Sequence, residues 1–185
     1  PDRTAFDGQI LATNLTFRGE TSQAVSARLS FTNKILRAEK IRIERLGEFA
    51  DCPWVEYDGN RRLVTLSNAN CHLDPFVVTR VIGPRTTEAL KPYQFGRTPH
   101  VLVNGTIPID KAIRPDLRFD VSGGPFSFFR FHLPKIESQV LWRNDTLMLT
   151  NIQAGFYGGR LQGNAFFDFT AASGADFHFL AQVGN

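Results

Sequence analysis

Residues 161–169 read Leu-Gln-Gly-Asn-Ala-Phe-Phe-Asp-Phe. The odd-numbered positions are Leu, Gly, Ala, Phe and Phe, so they can all face an apolar interior, while Gln, Asn and Asp lie between them. A period of two is typical of a β-strand with one buried face. The alternation returns after Ser173-Gly174, at residues 177–183. The segment therefore predicts neighbouring antiparallel strands with one apolar and one polar face.

The same alternation extends over most of the chain. Its turn signals include Asp58-Gly59 and Gly158-Gly159, each of which predicts a two-residue hairpin turn. The predicted strands are Gln9–Phe17, Val25–Phe31, Ile35–Leu46, Trp54–Asp58, Leu63–Leu73, His100–Ile109, Asp116–Val121, Phe126–Leu133, Lys135–Arg143, Thr146–Phe156, Arg160–Thr170 and Asp176–Val183.

Alternation stops between Phe76 and Leu90, where residues 86–90 predict a short helix that ends before Pro92. We expect one or two short helices near residues 76–92. The chain is thus one mainly β segment, 1–185, with a subdivision into 1–75 and 91–185 around a helical crossover as an option. Periodicity alone favours a closed barrel or a second stacked sheet, because exposed apolar area costs about 25 cal/mol per Å².

Composition narrows the class of protein further. The net charge of +3 is small and the basic residues are scattered, so nucleic acid is not an expected partner. No run of about 18 apolar residues predicts a membrane span. The chain starts at Pro1 without an initiator Met, so we expect a targeting signal or anchor upstream in the parent protein.

Catalytic and metal-binding signatures are missing from the sequence. The four histidines lie far apart and none belongs to an HExxH motif, so neither a metal nor a cofactor is expected. Asp116 and Asp120 fall on the polar side of a strand, and no nucleophile motif occurs. We expect no enzyme activity. Cys52 and Cys71 leave two alternatives open, a disulfide in an oxidising compartment or two buried free thiols.

Two stretches carry a resemblance to a known family. Residues 91–107, Lys-Pro-Tyr-Gln-Phe-Gly-Arg-Thr-Pro-His-Val-Leu-Val-Asn-Gly-Thr-Ile, introduce a strand with an internal glycine. Residues 142–165, from Trp-Arg-Asn-Asp-Thr to Gln-Gly-Asn-Ala, contain a Tyr-Gly-Gly hairpin. From about Lys91 onward the chain resembles the C-terminal region of AsmA-like proteins.

The resemblance implies a fold, a compartment and a ligand. AsmA-like proteins are anchored in the inner membrane, extend through the periplasm, and are similar to bridge-like lipid-transfer proteins. It implies a long antiparallel meander forming a curved sheet or groove-like half-barrel. Its apolar face would hold phospholipid or another acyl lipid, in lipid transport or outer-membrane biogenesis. The bacterial envelope membranes would be reached through parts of the parent protein outside this segment. The candidate lining residues are Val140, Trp142, Leu147, Leu149, Leu161, Ala165, Phe167, Phe169, Phe177 and Phe179.

A second function remains open from the sequence. The same apolar positions suit an ordinary core, in which case the chain is a structural or carbohydrate- or protein-binding β-sandwich. Exposed aromatic residues forming a flat platform, for example Trp54 and Tyr57, would favour that alternative.

Overall fold

The structure is a computed structural model that describes residues 5–91, 93–109, 115–128, 130–168, 170 and 176–184. Long strands dominate it, as the alternation predicts. The strands are β1 (Phe6–Phe17), β2 (Glu20–Thr32), β3 (Ile35–Arg45), β4 (Glu48–Asp58), β5 (Leu63–His72), β6 (Tyr93–Phe95), β7 (His100–Pro108), β8 (Asp116–Gly123), β9 (Phe126–Phe128), β10 (Phe131–Leu133), β11 (Ile136–Arg143), β12 (Thr146–Phe156), β13 (Gly159–Asp168) and β14 (Asp176–Gly184).

Eleven of these strands form one antiparallel sheet in the order β1-β2-β3-β4-β5-β7-β8-β11-β12-β13-β14. Its two outer strands, β1 and β14, do not pair with each other, so the sheet is open and is not a barrel. The sheet continues across the helical crossover because β5 pairs with β7. The remaining strands form a small sheet in the order β10-β9-β6, so the single strand predicted over residues 126–133 is a short hairpin.

Tight turns join most neighbouring strands. Arg18-Gly19, Asn33-Lys34 and Leu46-Gly47 have positive φ at both central residues, which matches the twist of a two-residue hairpin. The predicted Gly158-Gly159 turn is displaced by one residue, because Tyr157 (φ 47°) and Gly158 (φ 87°) form it and Gly159 begins β13.

The predicted turn at Asp58-Gly59 is longer than two residues. Residues 59–62 separate β4 from β5, and the positive φ falls on Arg62 rather than on Gly59. Gly59 is required for a different reason. A Cβ atom there would lie 2.8 Å from the carbonyl oxygen of Lys34, so a side chain would collide with the neighbouring turn.

Two short helices, α1 (Pro75–Ile82) and α2 (Pro84–Leu90), connect β5 to β6 and confirm the predicted helical crossover. Asp74 caps α1, since its carboxylate accepts a hydrogen bond of 2.8 Å from the Phe76 amide. Within the described part of the chain, no helix has the length and hydropathy needed to span a membrane.

Bulges interrupt the strands near their middles. Three strands each carry one extra residue that shifts the register by one position. These bulges lie at Lys40 in β3, Asn68 in β5 and Asn151 in β12, and all three residues have φ near 50°. A bulge bends its strand and increases the local twist. Because the bulges lie near mid-strand, they bend the sheet about an axis that runs across the strands.

Candidate functional site

One row of apolar residues crosses the whole large sheet. Residues that pair across antiparallel strands point to the same face, so the register fixes the membership of this row. It contains one residue from each of the eleven strands, and its one polar group, the indole Nε1 of Trp142, donates to the Asn144 carbonyl oxygen at 3.1 Å. The apolar row is Gly8, Leu29, Ala38, Val55, Leu66, Gly105, Leu117, Trp142, Leu147, Phe167 and Phe177.

The next residue along each strand belongs to a polar row on the opposite face. This row also crosses all eleven strands without a break. The polar row is Asp7, Ser30, Arg37, Glu56, Thr65, Thr106, Asp116, Arg143, Thr146, Asp168 and Asp176. We call the two sides of the sheet the apolar face and the polar face. Both are continuous from β1 to β14.

The structure brings nine of the ten predicted lining residues onto the apolar face. Trp142, Leu147, Phe167 and Phe177 are consecutive members of the apolar row. Val140, Leu149, Ala165 and Phe179 form a second row two residues along the same strands, and Leu161 lies further along β13. The tenth predicted residue, Phe169, lies outside the described residues.

The apolar face extends beyond the predicted positions into the first half of the chain. Ala12, Val25, Ile43, Ala50, Cys71, Val101, Val121 and Ser138 form a further paired row. Ser138 carries the only hydroxyl in this row, and that hydroxyl donates to the backbone oxygens of Gln139 and Thr150. The hydroxyl is therefore satisfied by the protein and leaves the face apolar.

Curvature shelters the apolar face. The most buried residues of the large sheet, 6–9% exposed, all lie on it: Ala27, Cys52, Leu117, Ser138, Ile152, Ala154 and Ala165. A second sheet packed on this face would bury large side chains completely. No large side chain of the described residues is completely buried. Toward the β14 edge, Phe177 and Phe179 are 69% and 56% exposed. The face is therefore a groove, sheltered in the middle and open along its length.

The apolar row runs across the strands, in the same direction as the line of bulges. Eleven strands spaced by about 4.8 Å span about 48 Å. One leaflet of a bilayer contributes about half of a 30 Å hydrocarbon core, or roughly 15 Å. The groove is therefore about three times as long as the acyl region of one lipid.

Charged side chains on the polar face are largely neutralised by their neighbours. Arg42, for example, contacts both Glu44 and Asp51 at 3.3 Å, and Arg143 contacts Asp116 at 3.2 Å. Asp116 is thus a surface ion-pair partner, consistent with its predicted solvated position.

An ion-pair cluster attaches α1 to one end of the sheet. Glu20 accepts from Arg45 at 2.5 Å and also from Arg80 of α1. Arg18 in the β1–β2 turn donates to the carbonyl oxygens of Val81 and Ile82 at 2.7 and 2.8 Å. We call this end of the sheet, which also carries the 46–47 and 157–158 turns, the helix end. The opposite end, with the 33–34, 59–62 and 144–145 turns, is the turn end.

A compact aromatic cluster connects the helices to the small sheet. The ring of Phe95 packs against those of Tyr93, Phe76 and Phe126 at centroid distances of 6.1–6.5 Å. Burial raises the pKa of Tyr93. These rings pack at the helix end of the sheet.

The structure brings together two histidines that are distant in the sequence. The rings of His72 and His100 stack at 4.4 Å on the polar face, and Nε2 of His100 lies 2.6 Å from Oδ1 of Asn70. Strand pairing creates this contact between residues that are 28 positions apart in the sequence. Burial, and then the neighbouring His100, lower the pKa of His72. No group of three or more metal-ligating side chains occurs among the described residues.

The two cysteines lie in adjacent strands as free thiols, Cys52 buried and Cys71 half-buried. Cys52 and Cys71 both lie on the apolar face, and burial raises the pKa of each thiol.

Trp54 and Tyr57 do not form a platform. Trp54 pairs with Glu39 on the polar face beneath Arg37, whereas Tyr57 pairs with Leu36 on the apolar face.

Comparison of the chain with protein-family models, with curated proteins and with solved structures finds no match in any of the three. Function must therefore be inferred from the residues themselves.

Proposed function

We propose that this chain is a non-catalytic lipid-handling segment whose apolar face holds the acyl chains of phospholipid or of another acyl lipid. The observation that carries the proposal is the apolar row, which crosses eleven strands and whose one polar side-chain group is already hydrogen-bonded within the protein. An open sheet that leaves this much apolar surface accessible is costly unless a ligand covers it.

Acyl chains suit this surface better than a peptide does. A peptide laid on the apolar row would desolvate amide groups that no side chain there can pair with, at a cost of about 1–3 kcal/mol for each group. An acyl chain carries no such groups. Burial of about ten CH2 groups contributes roughly 8 kcal/mol before the cost of ordering the ligand.

The resemblance to AsmA-like proteins gives the proposal its biological setting. In that setting the chain is a periplasmic part of an inner-membrane-anchored protein that acts in lipid transport or outer-membrane biogenesis. The groove length of about 48 Å accommodates several lipids in succession, as transport along a sheet requires. The alternative of a carbohydrate-binding sandwich loses its support, because Trp54 and Tyr57 lie on opposite faces.

A matched pair of variants on β14 tests the proposal. Phe177→Gln/Phe179→Gln removes two exposed rings from the apolar face, whereas His178→Gln/Leu180→Gln changes the polar face of the same strand. We expect the purified chain to bind a fluorescent acyl lipid and to co-purify with phospholipid detectable by mass spectrometry. The first variant should lower lipid binding about tenfold and the second should leave it unchanged.

Absence of lipid from the purified chain together with no uptake of the labelled lipid would refute the proposal. Equal loss of binding in both variants would also contradict it, since strand damage rather than the apolar face would then be responsible.

A further inference from the structure

Three cations project from the turn end of the sheet. Lys34 lies in the β2–β3 turn, and Arg61 and Arg62 lie in the β4–β5 loop. We call these three exposed residues the basic rim. From them we infer that the turn end binds the phosphate group of the lipid whose acyl chains lie in the groove. This inference rests on the function proposed above.

The protein holds the two turns of the basic rim together. The Gly59 amide donates to the Lys34 carbonyl oxygen at 2.8 Å, and the Asn60 side-chain amide donates to the Asn33 carbonyl oxygen at 3.4 Å. The Ile109 amide donates to the Arg62 carbonyl oxygen at 2.8 Å, so the loop is also attached to the end of β7. The three cations are therefore carried on one continuous, hydrogen-bonded edge.

No carboxylate neutralises the basic rim among the residues that the structure describes. Several basic residues of the polar face differ, since Arg28, Arg42 and Arg118 each contact an Asp at 3.1–3.3 Å. Asp58 precedes the loop, but its Oδ1 accepts the backbone amides of Asn60 and Arg61 at 2.8 and 3.2 Å. The three cations of the basic rim are thus outside the ion pairs formed among the described residues, and their side chains are available to an anionic ligand.

The basic rim adjoins the apolar face. Leu36 follows Lys34 by two residues, Val64 follows Arg62 by two residues, and both pair with Tyr57 on that face. Two residues along a strand span about 7 Å, which the long side chains of Lys and Arg can cover. An acyl chain lying against Leu36 and Val64 places its headgroup at the rim, where guanidinium groups suit phosphate oxygens.

The test compares two lipids that differ only in the phosphate. Labelled phosphatidic acid and labelled diacylglycerol with the same acyl chains are titrated in nonionic detergent against three proteins. These are the wild type, the rim variant Lys34→Gln/Arg61→Gln/Arg62→Gln, and a control, Arg97→Gln/Arg130→Gln/Arg160→Gln. The control removes equal charge from exposed arginines away from the turn end. Unfolding midpoints establish that all three proteins are folded.

We expect the wild type and the control to bind phosphatidic acid about tenfold more tightly than diacylglycerol, with a ratio that falls as salt is added. The rim variant should bind the two lipids within about twofold of each other and keep its affinity for diacylglycerol. A ratio that persists in the rim variant overturns the inference but leaves the groove intact. Binding of neither lipid by the wild type overturns the proposed function itself.

The last ligand in the test is a soluble phosphate ester, glycerol 3-phosphate. Glycerol 3-phosphate should compete for the rim only weakly, because it gains nothing from the apolar face. Binding of glycerol 3-phosphate as tight as that of phosphatidic acid would assign the rim to a soluble ligand and overturn the inference.

Discussion

His72 illustrates how a single residue responds to its surroundings on the polar face. Its ring lies between Phe49 at 4.8 Å and His100 at 4.4 Å. Burial, and then the neighbouring His100, lower the pKa of His72, and the nearby Asp51 raises it. The folded protein thus favours the neutral imidazole more than the unfolded chain does.

The stability of the chain should depend on pH through this histidine. Because the pKa is lowered on folding, the unfolded state takes up protons first, so the free energy of unfolding falls as the pH drops below about 6.5. His72→Phe keeps an aromatic ring but cannot titrate. Urea unfolding between pH 7.5 and pH 5 should show a smaller loss of stability in this variant than in the wild type.

The control for this prediction is His178→Gln, at an exposed histidine of β14. It should follow the wild-type pH dependence. Parallel curves for the wild type and His72→Phe would show that His72 makes no contribution.

At the level of elements, two of the three bulges are supported by asparagine side chains on the neighbouring strands. Oδ1 of Asn104 accepts from the Asn68 amide at 2.7 Å, and Oδ1 of Asn164 accepts from the Asn151 amide at 3.1 Å. The same device therefore occurs in both halves of the sheet. In each case it satisfies an amide that the register shift removes from the ladder.

Removing one of these acceptors should destabilise the sheet. We expect Asn104→Ala to lower the free energy of unfolding by about 1 kcal/mol, and Asn104→Asp to retain most of the stability because a carboxylate oxygen also accepts. Thr106→Ala, two residues away on the same face of β7, is the control. Chemical denaturation measures all three, and an equal loss for Ala and Asp at position 104 would argue against the acceptor role.

The same elements show what the sequence can and cannot predict. Strand ends fall within a few residues of the prediction where alternation is unbroken, as in β7, which the structure has as His100–Pro108. The bulges at Lys40, Asn68 and Asn151 were not predicted, because a non-glycine residue with positive φ leaves no composition signal. Each bulge transfers the residues that follow it to the other face of the sheet. Alternation alone therefore predicts the wrong face for those residues.

The sequence pattern also did not predict the contacts between strands that define the candidate site. Alternation placed Leu147, Phe167 and Phe177 on apolar sides of their own strands, but only the register shows that they are neighbours. His72 and His100 meet for the same reason. Pairing between strands is a tertiary property, and a single sequence does not encode it in its local pattern.

At the scale of the whole molecule, β14 is an edge strand of the described sheet and pairs on one side only, with β13. All nine residues of β14 are exposed, and Asp176 is its only charged residue. Edge strands in soluble proteins usually carry charges, prolines or bulges that prevent pairing with another chain. β14 is also bordered by the exposed rings of Phe177 and Phe179 on the apolar face.

The purified chain should therefore self-associate as its concentration rises. Leu180→Lys places a charge in the middle of β14 and should shift sedimentation toward the monomer. Gln162→Lys adds the same charge to the polar face one strand further in, and should have little effect. Identical sedimentation of the wild type and Leu180→Lys would exclude pairing through this edge.

The length of the groove is set by the number of strands in the large sheet. Neighbours in the large sheet are neighbours in sequence, apart from the short insertions before β7 and before β11. Duplication or loss of a single hairpin in a gene would lengthen or shorten the groove by about 10 Å without altering its cross-section. Such a sheet can also form from its N-terminal strand onward as the chain leaves the ribosome or a translocon, because each new hairpin pairs with strands that have already formed.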